Sequence, residues 1–459
     1  MRGVDTWSYA PYRPFLYNVG DIYICRIAPA ERSIRFEWLS AGGSYSVFYR
    51  IRGNEEFLLC GTTDCCEYDI ENLIPETDYE FFVESKAGKS RVRLARTGNT
   101  VGTVVNYLHP DDDAYAFSGR YLCSPSLVRH PDGYLLASMD LFADKHPQNL
   151  TLIYRSDDEG KTWHYVSELM PCFWGKMFIH KGELYMLACS TEYGDLLIGK
   201  SVDGGKTFST PVTLLRGANG KNGSSGVHKN PQNLIYHGGR LWATLEWGAW
   251  ANREYCHAAM MMSCGENADL LDPASWVFTE PRIFEHFVPE LEDVKIPAMT
   301  IEGTPVISPD GKLFNIMRFG KRGYALCYEA DVTEPEKMLS YSYLMRFPAN
   351  FSKFMIKYDA VSGKYYSIVC RLYEGCSDSA RNLQTLMSSR DLVEWRDERV
   401  LYDLRGYNRN LVGLQYVDFE FDREDIIYLC RTAINGAHSF HDSNYSTFHR
   451  IKNFRNISK

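Results

Sequence analysis

An eight-residue pattern, Ser156-Asp-Asp-Glu-Gly160-Lys-Thr-Trp163, returns as Ser201-Val-Asp-Gly-Gly205-Lys-Thr-Phe208 and, in degraded form, as Ser389-Arg-Asp-Leu-Val-Glu-Trp395. Each copy closes a stretch that reads as strands, and the two good copies stand roughly 45 residues apart, about the length of a four-stranded sheet with its turns. Glycine accepts the positive φ of a tight hairpin, serine and aspartate side chains bond the amides of the turn, and the terminal aromatic plugs the gap between neighbouring sheets. The pattern is a folding signal with no catalytic group in it. Its return at this period predicts a ring of antiparallel sheets, a β-propeller.

Six units follow from the rest of the pattern. Their first strands are expected near Ser124, Phe173, Pro231, Gly303, Phe354 and Gln415, and their second strands recur as Gly133-Tyr-Leu-Leu, Gly182-Glu-Leu-Tyr, Gly239-Arg-Leu-Trp, Gly311-Lys-Leu-Phe, Gly363-Lys-Tyr-Tyr and Asp425-Ile-Ile-Tyr. Residues 100–119 are expected to supply the strand that closes the ring. The eight-residue pattern resembles the Asp-box, or BNR repeat, of sialidases and related sugar-cleaving propellers. Receptors of that fold carry it too, so it speaks for the fold before it speaks for an activity.

Residues 1–98 differ. Ser33-Ile-Arg-Phe-Glu-Trp38 and Tyr45-Ser-Val-Phe-Tyr-Arg50 alternate as half-buried strands, and Leu73-Ile-Pro75-Glu-Thr77-Asp-Tyr79-Glu-Phe81-Phe-Val83 follows. That string, with Trp38 on an earlier strand, resembles the fibronectin type III family, in which such a segment enters a strand through a tyrosine corner. The expected fold is therefore all-β: a fibronectin III-like β-sandwich over residues 1–98, then a six-bladed, sialidase-like β-propeller over residues 99–459.

Composition removes several function classes. The chain of 459 residues carries a net charge of −8 and no basic run, which argues against nucleic acid as a partner. No apolar stretch approaches the roughly 18 residues of a membrane helix, so no membrane partner is expected. The start, Met1 to Trp7, has no apolar core after its charge, and the 13 cysteines follow no metal-ligand spacing. Reduced thiols and a cytoplasmic location are the expectation. No cofactor is expected, although Asp111-Asp-Asp113 leaves room for a structural calcium. Aromatic residues make up 14% of the chain, with 31 Tyr and 9 Trp, which suits blade filler and surfaces that stack on sugars.

In a propeller, groups at the ends of inner strands face a central cup. Three stretches there resemble the sialidase pattern in their order along the chain. Glu302 opens a strand whose partner ends at Arg318; Arg381 precedes the third Asp-box; and Tyr416-Val-Asp418-Phe resembles the string that contains the sialidase nucleophile. The resemblance implies Tyr416 as nucleophile with Glu302 as its base, Arg318 and Arg381 as carboxylate binders, and Asp144, with Asp140 in reserve, as the acid. A neutral phenol suits this task, because a carboxylate nucleophile is repelled by an acidic sugar.

The first inner strand departs from the family. Sialidases begin it with a carboxylate-binding arginine, whereas this chain reads Leu122-Cys123-Ser124-Pro125, with Arg120 the nearest substitute. That leaves a uronic acid or a neutral sugar open beside sialic acid. Further clusters stand outside the sialidase pattern: His228 and Lys229 with Glu246, Trp247 and Trp250 as a sugar subsite, and His438, His441, Asp442 and His449 in the last unit. A histidine and tyrosine set resembles propeller-type polysaccharide lyases that cleave rhamnosyl-glucuronate linkages, with His228, Tyr416 or His441 as base and acid. Three readings stand: an exo-acting glycoside hydrolase on an oligosaccharide or glycoside, a lyase, or a non-catalytic glycan or protein binder.

Overall fold

The computed structural model describes Trp7 and residues 20–218, 223–252, 256–285, 287–291, 300–349 and 351–456. Almost everything regular in it is strand, with only three-residue 3-10 turns besides.

In the N-terminal module, strands Ile24–Pro29, Ile34–Trp38 and Glu67–Ile70 form one sheet. Strands Leu58–Thr63, Tyr45–Ile51 and Asp78–Ser85 form the other, with Gly88–Lys89 and Arg93–Arg96 both paired to Asp78–Ser85. Alternate residues turn inward to one core: Phe36 meets Phe81 at 4.6 Å between ring centroids, and Trp38 meets Tyr45 at 5.2 Å. Tyr79 ties the corner ahead of its strand, its Oη accepting the Ile74 N–H at 2.9 Å.

Beyond residue 100, the described residues form six sheets in chain order, each antiparallel between sequence neighbours. Hydrogen bonds link each to the next. Met177 N–H reaches Ser126 Oγ at 2.9 Å, Lys229 Nζ reaches the Trp174 carbonyl at 3.2 Å, and Thr244 Oγ1 reaches the Gly303 carbonyl at 2.7 Å. Ile356 N–H donates to Thr304 Oγ1 at 3.4 Å, Lys353 Nζ to the Val417 carbonyl at 3.1 Å, and Leu127 N–H to Asp418 Oδ2 at 2.7 Å, which returns the circuit to its start. The last sheet, Gly413–Asp422, Asp425–Ala433 and Tyr445–Ile451, takes its fourth strand from Thr103–Tyr107.

All six second strands start where the repeat places them. The first strands of the third and fifth sheets differ from expectation. In the third, pairing is broken into Gly226–His228 and Ile235–His237, and in the fifth it is confined to Lys357–Asp359. There Phe354, Met355 and Ile356 are buried through their side chains while running unpaired, so an apolar run read as strand is core without a ladder.

The three copies of the eight-residue pattern sit between the third and fourth strands of the first, second and fifth sheets. In the first, Ser156 Oγ accepts the Gly160 N–H at 2.8 Å, Asp158 Oδ1 accepts the Thr162 N–H at 2.9 Å, and Trp163 is buried against Phe448 of the last sheet at 5.4 Å. The second repeats these bonds through Ser201, Asp203 and Thr207. All thirteen cysteines are free thiols.

Candidate active site

Four first strands share an irregularity at one level. Their register slips between Cys123 and Ser126, Phe173 and Lys176, Ile301 and Thr304, and Gln415 and Asp418. At each slip one non-glycine residue takes a positive φ: Ser124 at 44°, Trp174 at 51°, Glu302 at 57° and Tyr416 at 55°. A bulge of this kind re-aims a side chain off the strand's normal alternation. Opposite the bulges, the second strands end in Asp140, Arg318 and Arg431, and the third sheet contributes Glu246 beside His228.

Tyr416 and Glu302 meet at the centre. Tyr416 Oη donates to Glu302 Oε1 at 2.6 Å, and Arg318 Nη1 donates to Glu302 Oε2 at 2.5 Å and to Tyr416 Oη at 3.2 Å. Burial pushes the phenol up to about 12, with the Glu302 charge adding to it and three arginines opposing. Burial also works against an ionised Glu302, but Arg318, His228 and the donated hydrogen bonds outweigh it and hold the carboxyl below its usual value. A proton resting on the phenol beside an ionised carboxylate is the ground state of an acid–base pair.

Three guanidinium groups crowd this pair. Arg381 lies 5.7 Å from the Tyr416 ring and 5.3 Å from the Phe440 ring, and its Nε and Nη1 are buried without a hydrogen-bond partner. Burial, then repulsion from Arg318 and Arg431, drives its pKa down to about 10. Arg431 lies 5.1 Å from the Tyr416 ring and its Nη1 donates to Cys123 Sγ at 3.1 Å. Its remaining donors go to Ser443 Oγ and to the His441 carbonyl. Sequence reading missed Arg431, although it stands six residues after Asp425 just as Arg318 stands six after Lys312. It brings a guanidinium to the very position where Cys123 leaves the first strand without one. Three buried guanidiniums face one carboxylate, so the cup carries an excess of positive charge suited to an anionic ligand.

The second cluster adjoins the first. Glu246 is fully buried; its Oε2 lies 2.5 Å from His228 Nδ1 and its Oε1 accepts the Gly303 N–H at 3.0 Å, next to Glu302. The carboxylate fixes the ring proton on Nδ1 and leaves Nε2 as the basic nitrogen. His228 packs between Trp174, tilted against it at 4.2 Å, and His257, edge-on at 4.8 Å, and His257 Nε2 pairs with Tyr193 Oη at 2.8 Å. Trp174, Tyr193 and His257 were not foreseen. Trp250 is half exposed, edge-on to His257 at 4.4 Å, while Trp247 is partly buried against the core of the second and third sheets.

The other expected residues fall into two groups. Asp140 and Asp418 are fully buried in the frame. Asp140 accepts from Thr151 Oγ1 at 2.5 Å and from the Trp174 N–H at 2.6 Å, pinning that bulge, and burial pushes it up to about 7. Asp418 accepts from Leu127 N–H and from Lys176 Nζ at 2.5 Å, and Lys229 is buried beside them. Asp144 is exposed on the loop after the strand Leu135–Phe142, and Arg120, half-buried, donates its backbone N–H to Phe142 O at 3.0 Å. His441 stands at the cup, edge-on to Phe142 at 5.4 Å with Asp442 3.0 Å from its Nδ1, and burial with the Arg431 charge lowers it to about 4. His438 and His449 lie apart from it, one near Asp111 and the other between Tyr402 and Thr447. Asp111, Asp112 and Asp113 pair with Arg52, Arg93 and Arg91 of the N-terminal module.

No family model and no curated protein matches the chain. Solved structures do. A Hadza microbial sialidase superposes with a TM-score of 0.52 at 12% identity, covering 94% of this chain and 94% of its own. An α-L-arabinanase of Penicillium chrysogenum, complexed with arabinobiose, gives 0.50 at 17% identity over 78% of this chain and 99% of its own. Trypanosoma rangeli sialidase, bound to 2,3-difluorosialic acid, gives 0.50 at 14% identity over 82% and 57%. The chain thus has the all-β propeller fold found in these glycoside hydrolases.

Proposed function

We propose that this protein is an exo-acting, retaining glycoside hydrolase that removes a terminal sugar carrying a carboxylate from an oligosaccharide or glycoside. The observation that carries the reading is the 2.6 Å bond between Tyr416 Oη and Glu302 inside a ring of three guanidiniums. In the same reading the six sheets are the blades of a six-bladed propeller over residues 99–459, and residues 1–98 form a fibronectin III-like sandwich.

The chemistry follows from the contacts. Arg381, with its Nε and Nη1 unpartnered, takes the substrate carboxylate, and the Arg431 charge beside it adds to the attraction; Arg318 keeps Glu302 ionised. Tyr416 Oη attacks the anomeric carbon while its proton passes to Glu302, the glycosidic C–O bond breaks, and the leaving oxygen takes a proton from Asp144 on the rim loop. Water then adds to the anomeric carbon, giving its proton to Asp144. The Tyr416–carbon bond breaks, and the phenolate recovers its proton from Glu302.

The test is incubation with aryl glycosides of sialic, glucuronic and galacturonic acid and of neutral sugars, read by mass spectrometry and by NMR of the product anomer. Release of an acidic sugar with retained configuration, abolished in Tyr416→Phe, is the expected result. Release of neutral sugars alone, or full turnover by Tyr416→Phe, would overturn it.

A second reading rests on the Glu246–His228 pair, a histidine held with one nitrogen free beside Glu302. It is a lyase acting on rhamnosyl-glucuronate-like linkages, with His228 and Tyr416 moving protons at the uronate. Its signature is an unsaturated product absorbing in the near ultraviolet, lost in His228→Ala.

A further inference from the structure

Below the bulges that carry Trp174, Glu302 and Tyr416, three lysines enter the closed centre of the ring. Lys176, Lys229 and Lys353 are each only 2–3% exposed. Carboxylates contact Lys176 alone: Asp418 at 2.5 Å and Glu420 at 4.0 Å, the latter held more closely by Lys357 at 2.7 Å. Among the described residues, the other two ammonium groups touch only backbone carbonyls. Lys229 donates to Trp174 O at 3.2 Å and Asn230 O at 3.4 Å, and Lys353 donates to Val417 O at 3.1 Å. An ammonium has three protons, so one remains on Lys229 and two on Lys353.

Other observations mark the same place. Asn230, 2% exposed and adjacent to Lys229, has neither its side-chain oxygen nor its nitrogen satisfied. Lys353 feels the opposing charges of Asp418 and Glu302 as well as the repulsion of Lys176 and Lys229, so the three lysines stand within electrostatic reach of one another. A cavity of about 980 Å³ beside them is lined by Lys176, Met177, Pro305 and Ile356, Lys176 being the one of the three lysines on its wall. Burial lowers Lys229 and Lys353 to about 8, which leaves both charged at neutral pH. Asp140, pushed up to about 7, also acts on Lys229 and supplies part of the opposing charge. Buried cations without a partner are costly, and one further negative charge would complete the balance.

We propose that Lys229 and Lys353, with the Asn230 amide, hold one small monovalent inorganic anion at the centre of the ring, chloride in ordinary buffers. The inference is independent of the reaction in the cup above it. The experiment compares thermal unfolding of the whole protein at pH 7 and constant ionic strength in sodium chloride, sodium bromide and sodium gluconate, and locates bromide by anomalous scattering in crystals of the unaltered protein.

Expected are a saturable rise in Tm of about 2–4 °C in chloride and bromide over gluconate, and an anomalous peak within hydrogen-bond reach of both ammonium groups. Lys229→Met and Lys353→Met lose the rise, while Lys357→Met on the cavity wall keeps it. A Tm that follows ionic strength alone, identical in bromide and gluconate, overturns the proposal. So does an anomalous map with peaks only on the surface, an adventitious ion only. The measurements on the unaltered protein decide the matter even where a lysine variant fails to fold.

Discussion

Glu302 and Tyr416 are held, like Ser124 and Trp174 at the other two bulges, at positive φ, a conformation that costs a bulky residue on the order of 1–3 kcal/mol. What it achieves is placement: both side chains leave their strands' alternation and meet at hydrogen-bonding distance. In the proposed reaction the guanidiniums around them set specificity. Arg431→Met is expected to lower kcat/KM on the acidic substrate by about 30-fold to 10³-fold through a higher KM, as loss of a buried charge partner costs about 2–5 kcal/mol. Arg431→Lys should not rescue it, since a point charge cannot replace the fork that spans Cys123 and the cup. The pH profile follows from Glu302. The base must be ionised to take the phenolic proton, and its pKa is lowered below the ordinary 4.5. The acid limb of kcat/KM should therefore fall only below about pH 4.5, read from initial rates across pH 3–7. Tyr416, Glu302, Arg318 and Arg381 could be named from the sequence because each lies in a string of recognisable order. Arg431 could not be reached that way, because its counterpart on the first strand is a cysteine.

At the scale of the strand and its turns, much was visible and one thing was not. Counted from Tyr134, Glu183, Arg240, Lys312, Lys364 and Asp425, at or one residue before the start of each second strand, six residues on stand Asp140, Cys189, Glu246, Arg318, Cys370 and Arg431. Read as a repeat, that one position would have found Arg431, because period-two strands of equal length bring equal positions to the same rim. The bulges were not legible. Ser124, Trp174, Glu302 and Tyr416 are not residues that announce positive φ, and it is pairing with the neighbouring strand that imposes it. The eight-residue turns, by contrast, declare themselves, since their bonds are local. Gly160 of the first copy is still not equivalent to other turn glycines. A Cβ on Gly160, at φ 85°, would stand 2.0 Å from Phe448, whereas one on Gly133, at φ 97°, meets nothing within 4 Å. Gly160→Ala is therefore expected to destabilise by about 2–4 kcal/mol and Gly133→Ala by about 1 kcal/mol, measured by denaturant unfolding.

Over the whole molecule, the way the N-terminal sheets and the later six hold each other was not readable from the sequence, since contacts between distant segments leave no local pattern. Arg93 and Asp112 form an ion pair 1–3% exposed at 2.7 Å, Arg26 donates to the carbonyls of Val104 and Val105, and Tyr154 Oη reaches Cys25 O at 3.0 Å. One apolar core runs from Phe36 and Phe81 of the two N-terminal sheets to Leu414, Tyr428 and Tyr445 of the last sheet. Calorimetry should accordingly record one unfolding transition for both parts. Arg93→Ala, which strands Asp112 without its partner, should lower stability by about 3–5 kcal/mol. The fourth strand of the last sheet, Thr103–Tyr107, pairs with Tyr445–Phe448 from the far end of the chain. On the ribosome this early strand emerges on the order of tens of seconds before its partner is made. Its edge must wait unpaired while the five intervening sheets are made, so synthesis of the strand Tyr445–Ile451 is the event that seals the ring.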